Sequence, residues 1–545
     1  MAQEEETFDL VVVGSGAAGC GATLAGAALG LRTVLVEKAA RLGGGTAGSL
    51  GGLWVPCNHL MADAGLHDDP AAARRYMDFL GGGYARPEMV EAFLRAAPAA
   101  LRAFAEAGVS FRLLRGLPDH YWPTAEGALG DGRMVETQPI RRAALGAWGD
   151  RLEEGVHNDP GVSWGDAIAW GGIGARHSWP AEELEARRRD GLLAAGAGLV
   201  GQFLVRLLAL GVPVRAGFRA ERLVVEGGRV VGLLGAAQQG GAATLLRARA
   251  GVVLATGGYE GNPELVSRFE GYPEWMSIFP RSVEGDGLVM GSEIGAAVWR
   301  VPNNLAMLVG YAIPAPDGAG EVFFSAGLRG FSYPHSIVVN DAGRRFCDES
   351  QFQHVVAALT RFDLKAHRHP NLPAFMLCDA QFFRRYRFGN RPIGAPVPDS
   401  VVRADSLAVL AARIGVDAAA LEETVARFNA HAIHGEDPEF GRGASAFARS
   451  TAGDPHAAHP NLGPLVEPPF HAVRLRLGGI SAAGLLTDEH ARVRHVRGHP
   501  IPGLYACGNA AAPTDAGSGY QAGVSLMRGL AFGWLAARHA AGAAS

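Results

Sequence analysis

Residues 8–13 (Phe-Asp-Leu-Val-Val-Val) run straight into Gly14-Ser-Gly-Ala-Ala-Gly19, and this stretch decides the fold of the chain. A short apolar run, a glycine turn and a series of small residues predict a buried strand that leads into a helix. A second apolar run, residues 33–37, ends in Glu37. This order of strand, turn, helix, strand and acid is typical of a dinucleotide-binding βαβ unit.

Each glycine of the turn has a separate physical role. Gly14 permits the tight turn, Gly16 lets a pyrophosphate approach the backbone, and Gly19 lets the helix pack closely on the strand. The helix start, at Ala17 and Ala18, offers free N–H groups to the phosphates. Glu37 is placed to accept hydrogen bonds from a ribose, so we expect this chain to bind a dinucleotide.

A second match to the glycine pattern, Gly196-Ala-Gly198-Leu-Val-Gly201, needs a different interpretation. It follows the charged stretch 182–190 rather than an apolar run. A pattern of this kind indicates a nucleotide site only between a strand and a helix. We interpret it as the start of a helix rich in small residues.

Composition excludes several classes of protein. The 545 residues carry a formal net charge of −4 and contain no run of Lys or Arg long enough to suggest a nucleic-acid partner. No apolar stretch reaches the roughly 18 residues that a transmembrane segment needs. The five cysteines are scattered and odd in number, and the acidic N-terminus differs from a secretory signal, which favours a cytoplasmic location. No cluster of histidines or cysteines predicts a metal site.

Glycine-rich segments near residues 14, 257 and 508 are far apart in sequence, which suggests one large cofactor held by a discontinuous domain. This favours FAD over NAD. We therefore predict an α/β fold with a Rossmann-like FAD-binding domain at 1–300 and 461–545. Residues 301–460 have a different texture of short strands and helices, and we predict an inserted α+β cap or catalytic domain there.

The predicted cofactor site extends beyond the first glycine turn. A loop of small residues after the second strand can lie along the flavin, and other contacts follow later strands and the last helix. The expected FAD-binding residues are Gly14, Gly16, Ala17, Ala18, Gly19, Glu37, Lys38, Gly44, Gly45, Thr46, Gly51, Gly52, Ala220, Thr256, Gly257, Gly508, Asn509, Ser525 and Leu526.

Taken together, the motifs resemble those of the fumarate reductase/succinate dehydrogenase flavoprotein superfamily. They occur in order along nearly the whole chain: Gly14-Ser-Gly-Ala-Ala-Gly19, Gly44-Gly-Thr46, Leu254-Ala-Thr-Gly-Gly258, Gly285-Asp-Gly287, Val339-Asn-Asp-Ala-Gly-Arg-Arg-Phe346 and Gly503-Leu-Tyr-Ala-Cys-Gly508-Asn509. Within the superfamily the chain most resembles the 3-ketosteroid dehydrogenases. The segments that carry this resemblance are Gly52-Leu-Trp-Val-Pro56, the loop 118–132 followed by Arg133-Met-Val-Glu136, Thr424-Val-Ala-Arg-Phe-Asn429, Asp437-Pro-Glu-Phe-Gly-Arg-Gly443, Asn461-Leu-Gly-Pro464 and Pro469-Phe-His-Ala-Val473.

The resemblance implies a chemistry. In such enzymes a tyrosine hydroxyl and a backbone N–H hold the ketone oxygen, a base removes the α-proton, and the β-carbon gives a hydride to flavin. By position, Tyr520 and the N–H of Gly523 match the carbonyl clamp. Tyr121, on an aromatic loop, matches a second family tyrosine.

The chain also departs from that family. Where the resemblance implies a tyrosine base, after Glu349, the stretch Ser-Gln-Phe-Gln-His354 contains none. The proton acceptor is therefore open between His354, Tyr333 and Tyr121. The arginines that a dicarboxylate substrate would need are absent from the matching positions, which argues against fumarate reduction.

We therefore predict an FAD-dependent dehydrogenase that oxidises a cyclic or 3-ketosteroid-like ketone to the α,β-unsaturated ketone. A quinone-like compound is the expected external electron acceptor. Two alternatives stay open at this point: an enone or enoate reductase that runs the same hydride transfer backwards, and a flavin-binding protein without catalysis.

Overall fold

The computed structural model describes residues 4–155, 158–238, 243–272, 274–315, 320–327 and 330–542. Two sheets dominate these residues. Eight described strands form the first sheet, and the strand that leads into the glycine turn lies at its centre. In spatial order the main path is Arg492–Arg494, Pro500–Ala506, Thr244–Leu254, Glu4–Val13, Thr33–Glu37 and Val214–Ala216; Arg229–Ala237 and Phe218–Glu226 extend it from Thr244–Leu254.

The central strands of this sheet are parallel, and helices cover one of its faces. Strand Glu4–Val13 pairs in parallel with both Thr33–Glu37 and Thr244–Leu254. The helices that share its core are Ala17–Ala28, Pro70–Gly81, Pro87–Glu106, Ala195–Ala209 and Val524–Ala540. Because parallel strands end together at one edge, the glycine turn and the segment after Leu254 meet there. The predicted Rossmann-like architecture is confirmed.

Backbone geometry explains the glycines of the first turn. Gly14 has φ +105°, and a Cβ there would lie 2.3 Å from the carbonyl oxygen of Ala255. A Cβ at Gly19 would lie 1.7 Å from the carbonyl oxygen of Gly14. Both positions therefore require glycine, and Gly19 serves the close packing of helix on strand.

The second glycine pattern lies at the start of helix Ala195–Ala209. A Cβ at Gly196 would come within 1.9 Å of the carbonyl oxygen of Thr46, so this residue lets the helix pack against the loop after the second strand. The expected helix start is confirmed.

The second sheet is antiparallel and contains six described strands. Its path is Glu321–Ser325, Met307–Pro314, Phe470–Gly479, Ala374–Cys378 and Ser336–Asn340, with Val402–Ala404 paired to Phe470–Gly479. Helices Phe352–Thr360, Ala380–Arg385, Leu407–Ile414 and Ala418–Ala432 accompany it. Strand Phe470–Gly479 lies at its centre, although the sequence assigns 461–545 to the cofactor domain. Its side chains alternate between the two hydrophobic cores on opposite faces of this sheet. The same alternation would suit a strand of the first sheet, so the sequence pattern could not assign the strand to either one.

Among the described residues, no helix combines the length and the apolar character that crossing a bilayer requires.

Candidate active site

A cavity with about 1890 Å³ of open volume lies between the two sheets. Its walls come from the carboxyl edge of the first sheet, from the loop 44–52, from the start of helix Val524–Ala540 and from the second sheet. Every residue that the sequence predicts to bind the cofactor lines this cavity except Gly19. This volume includes the space that is open to solvent, and the cavity reaches from the glycine turn at Gly14 to Tyr520.

The cavity has the donors that a pyrophosphate and a ribityl chain require. Helix Ala17–Ala28 begins after Gly16, which has no side chain to cap it, but the N–H of Ala17, which the sequence led us to expect to be free, is taken by Thr46. The hydroxyl of Thr46 accepts a hydrogen bond from the N–H of Ala17 at 3.0 Å and keeps its own proton for a ligand. Thr256 also lines the cavity, and its hydroxyl is buried without a partner. These features fit an elongated dinucleotide at this edge of the sheet.

Glu37 supports the glycine turn as well as facing the cavity. Its Oε2 accepts hydrogen bonds from the N–H and the hydroxyl of Ser15, at 3.0 and 2.7 Å, and its Oε1 accepts one from the N–H of Ala39 at 2.9 Å. The neighbouring Lys38 pairs with Glu284 and Asp286 at 2.7 and 2.5 Å. The turn is therefore held rigidly where a ribose and a pyrophosphate would lie.

Aromatic side chains enclose the other end of the cavity. The ring of Tyr520 lies 5.5 Å from that of Phe352 and 5.5 Å from that of His120, and His120 lies 3.8 Å from Phe447. Further apolar lining comes from Trp164, Ile278, Phe279, Leu308 and Ile480. Burial raises the pKa of Tyr520 to about 12, so its hydroxyl keeps its proton and remains a donor.

Gly523 begins helix Val524–Ala540 beside Tyr520 and also lines the cavity. Its φ is +86°, and a Cβ would lie 2.5 Å from the backbone nitrogen of Trp54, so only glycine fits. No side chain caps the helix, although the N–H of Val524 is taken by the carbonyl oxygen of Gln521 at 3.2 Å. The structure thus brings together the two predicted parts of the carbonyl clamp.

The three residues considered from sequence as proton acceptor do not line the cavity. Tyr121 packs edge-on against Phe79, with 5.2 Å between the ring centres. Tyr333 lies against Tyr386 in a hydrophobic core on one face of the second sheet. The side chain of His354 is 49% exposed. The structure therefore separates these groups from Tyr520 and Gly523.

His120, which sequence reasoning missed, lines the cavity and is 2% exposed. Its Nδ1 lies 3.1 Å from the amide of Gln353, its Nε2 accepts a hydrogen bond from the N–H of Ala522 at 3.3 Å, and its backbone N–H donates to Gln521 at 2.9 Å. Burial lowers the pKa of His120 to about 3, so the imidazole is neutral. The resemblance implied a role for the next residue, Tyr121, and gave no reason to consider His120.

Glu260 is a second residue that the sequence did not reveal. It lines the cavity at 6% exposure, its Oε1 accepts a hydrogen bond from the N–H of Ser481 at 2.9 Å, and its Oε2 is buried without a partner. Burial raises the pKa of this carboxyl to about 7. Only its position after the predicted Thr-Gly-Gly turn could have indicated it.

The cavity has few cationic side chains. Among the described residues that line it, Lys38 is the only lysine or arginine, and it is paired with Asp286 beside the adenosine end predicted from Glu37. Within the described part of the chain, the aromatic end around Tyr520 therefore has no lysine or arginine with which to bind a carboxylate.

Comparison with known proteins agrees with this architecture. Residues 9–526 match the FAD binding domain family. The chain is 36% identical to a 4-oxocyclohexanecarboxylate 2-dehydrogenase of Sinomonas cyclohexanicum, over 99% of this chain and 94% of that protein. It is 33% identical to a 3-oxosteroid 1-dehydrogenase of Mycobacterium tuberculosis, over 98% of both.

A solved structure is also similar along its whole length. The 3-ketosteroid Δ1-dehydrogenase from Sterolibacterium denitrificans, crystallised with 1,4-androstadiene-3,17-dione, superposes with a TM-score of 0.85 at 28% identity, over 98% of this chain and 99% of that one. The expected cofactor and reaction class agree with these relatives. This chain belongs to the FAD-binding family that includes these ketone dehydrogenases, and it is an FAD-dependent oxidoreductase acting on CH–CH groups.

Proposed function

We propose that this enzyme oxidises an uncharged cyclic ketone to its α,β-unsaturated ketone. The observation that carries this proposal is the position of Tyr520 and Gly523 side by side at an apolar end of the cavity. A protonated hydroxyl and a helix-terminal N–H are the donors that a ketone oxygen accepts, and they bind it more strongly as negative charge develops there. A substrate carboxylate would instead need a cation or several charge-assisted hydrogen bonds.

The chain's own residues would prepare the ketone for oxidation. Tyr520 and the N–H of Gly523 hold the carbonyl oxygen, which acidifies the adjacent α-hydrogen. The rings of Phe352 and Phe447 exclude water from the reacting carbons. Bound FAD supplies the acceptor for the hydride that leaves the β-carbon.

The cofactor would lie along the carboxyl edge of the first sheet. Gly16 and the start of helix Ala17–Ala28 would receive the pyrophosphate, and Glu37 a ribose. The loop 44–52, with Ser525 and Leu526, would hold the flavin end. Residues 301–460 would then act as a cap over it, together with strand Phe470–Gly479, since Leu308, Ser325 and Phe352 reach the same cavity.

Turnover requires a route for the electrons, and we assign that role to an external quinone-like acceptor. A cytoplasmic location accords with five cysteines that are all free thiols. Reoxidation of the reduced enzyme by menadione, compared with dioxygen, tests the acceptor.

The substrate class is tested by anaerobic mixing of the yellow enzyme with matched ketones. We expect 4-methylcyclohexanone to bleach the flavin and yield an enone lighter by two hydrogens, and 4-androstene-3,17-dione tests how large a ring system the cavity accepts. The charged analogue 4-oxocyclohexanecarboxylate should bleach it far more slowly, because the aromatic end has no lysine or arginine among the described lining residues. Rapid bleaching by the carboxylate alone would contradict the proposal.

A further inference from the structure

The reaction needs a group that takes up the α-proton, and the residues considered from sequence lie outside the cavity. We propose that His120 is this proton acceptor and that Gln353 holds its imidazole in the required orientation. The inference rests on the proposed ketone oxidation and adds to it the identity of the base.

The position of His120 suits the role. Its ring lies 5.5 Å from that of Tyr520 and 3.8 Å from that of Phe447, inside the cavity. The α-carbon of a ketone is bonded directly to the carbonyl carbon. On this proposal, a ketone whose oxygen is held by Tyr520 and Gly523 presents an α-hydrogen to the imidazole.

The hydrogen bonds of the ring decide which nitrogen can accept a proton. The N–H of Ala522 points at Nε2 from 3.3 Å, so Nε2 carries a lone pair and Nδ1 carries the ring proton. This N–H occupies the lone pair in the structure, so the bond, which is long at 3.3 Å, must break before Nε2 can accept the α-proton. Ala522 directly precedes Gly523, so this lone pair faces the same peptide segment as the carbonyl clamp.

Gln353 completes the orientation from the other side. Its amide lies 3.1 Å from Nδ1, and because the two ends of an amide are interchangeable in assigning hydrogen bonds, its oxygen accepts the Nδ1 proton. The amide of Gln351 lies 3.2 Å from that of Gln353, and its oxygen is buried without a partner. When the oxygen and nitrogen of both amides are interchanged, the Gln351 oxygen accepts a hydrogen bond from the Gln353 N–H. The chain Gln351–Gln353–His120 therefore fixes Nε2 as the acceptor.

Protonation is favoured only when substrate is present. Among the described residues, the groups that face the ring are Phe352, Phe447, Tyr520, the side-chain amide of Gln353 and the N–H of Ala522, and none of them carries a charge. Burial therefore lowers the pKa of His120 and keeps Nε2 unprotonated. The negative charge that develops on the ketone oxygen at Tyr520 opposes this effect and stabilises the imidazolium.

The step balances in atoms and electrons. The α-carbon–hydrogen bond breaks, its proton goes to Nε2, and its electron pair forms the enolate. The β-carbon–hydrogen bond then breaks with its electron pair, which leaves as hydride and reduces FAD by two electrons, while the carbon–carbon double bond forms. The imidazolium returns its proton to solvent after the enone leaves.

Proton removal can be measured apart from hydride transfer. Enzyme whose flavin has been reduced with dithionite cannot take a hydride, but its base can still exchange the α-hydrogens of 4-methylcyclohexanone with D₂O, which proton NMR follows. We expect the parent enzyme to catalyse this exchange and His120→Ala to slow it by about 10²-fold or more. Added imidazole should restore exchange to His120→Ala, since the deleted ring leaves a space of its own shape.

Matched variants separate catalysis from structure. His354→Ala, on the exposed face of the helix that carries Gln353, should exchange as the parent does. Gln353→Ala should lower the exchange rate with little change in KM, and Gln353→Glu should recover it because a carboxylate also accepts the Nδ1 proton. FAD content and circular dichroism report whether each variant folds, and His120→Gln provides a larger polar replacement if the alanine variant does not.

The outcomes distinguish this inference from the proposed function. Suppose that the ketone bleaches the oxidised parent enzyme and that folded His120→Ala catalyses exchange of the ketone's α-hydrogens at the parent rate. His120 is then not the base, while the proposed ketone oxidation stands. Loss of exchange in His354→Ala instead of His120→Ala would likewise overturn the assignment. If no ketone bleaches the parent, the proposed function itself fails.

Discussion

Replacing Tyr520 by phenylalanine removes one hydroxyl from the carbonyl clamp and should affect catalysis with little effect on the fold. Among the described residues no group hydrogen-bonds to this hydroxyl, so its removal leaves no buried partner unsatisfied. The ring would keep its contacts with Phe352 and His120. Because burial raises the pKa of Tyr520 to about 12, the hydroxyl is a donor throughout the neutral range, and the effect should not vary with pH there.

The size of the effect follows from the number of donors. Loss of one well-placed donor to a developing oxyanion costs about 3–4 kcal/mol, or roughly 10²–10³-fold in rate. We expect Tyr520→Phe to slow anaerobic flavin reduction by 4-methylcyclohexanone by about this factor, with FAD content and melting temperature unchanged. Stopped-flow absorbance measures it. If the variant reduces its flavin as fast as the parent, Tyr520 only packs in the cavity and the clamp must lie elsewhere.

Three further predictions concern the cofactor site and its electrostatics. Gly16→Val should give colourless protein, because the branched side chain would extend from a Cβ only 3.2 Å from the Thr46 hydroxyl into the pyrophosphate site. In the control Gly30→Ala the Cβ meets nothing within 4 Å, so the strain of its φ of +82° should lower the melting temperature while absorbance spectra still show bound FAD. Gly523→Ala should lower both melting temperature and ketone-dependent bleaching, since φ is +86° and the new Cβ would clash with Trp54; a stable, fully active variant would contradict this. Burial raises the folded-state pKa of Glu260 from 4.5 to about 7, so its ionisation should destabilise the fold by up to about 3 kcal/mol as pH rises through that interval. Glu260→Gln should therefore flatten the pH dependence of the melting temperature. An unchanged pH profile would refute the assignment.

The first sheet could be predicted because its signals are local. The order of strand, glycine turn and helix around Gly14 is a local pattern that the structure confirms, although the contact that requires glycine at position 14 comes from the distant Ala255. The residues of the loop 44–52 and of the segments near 257 and 508 were also predictable, since bare backbone at the carboxyl ends of parallel strands points to a ligand.

The remaining features depend on contacts between distant segments. Strand Phe470–Gly479 has an ordinary alternating pattern, and only its pairing with Ala374–Cys378 and Met307–Pro314 places it in the second sheet. His120 and Gln353 are 233 positions apart, and nothing in their two segments indicates that they pair, so their hydrogen bond could not be inferred from sequence. Tyr121 is the tyrosine that the resemblance suggested, but its ring packs against Phe79. The preceding residue, His120, lines the cavity instead.

Single-turnover oxidation under anaerobic conditions tests the central claim most directly. The oxidised enzyme is mixed with 4-methylcyclohexanone, and flavin absorbance and the organic product are measured in the same sample. The account predicts that the flavin is bleached with formation of one enone per FAD reduced, and that deuterium at either the α- or the β-carbon slows the bleaching. The account would be contradicted if no ketone bleached the flavin of the oxidised enzyme while the matching enones reoxidised the dithionite-reduced enzyme. That result would identify a reductase instead.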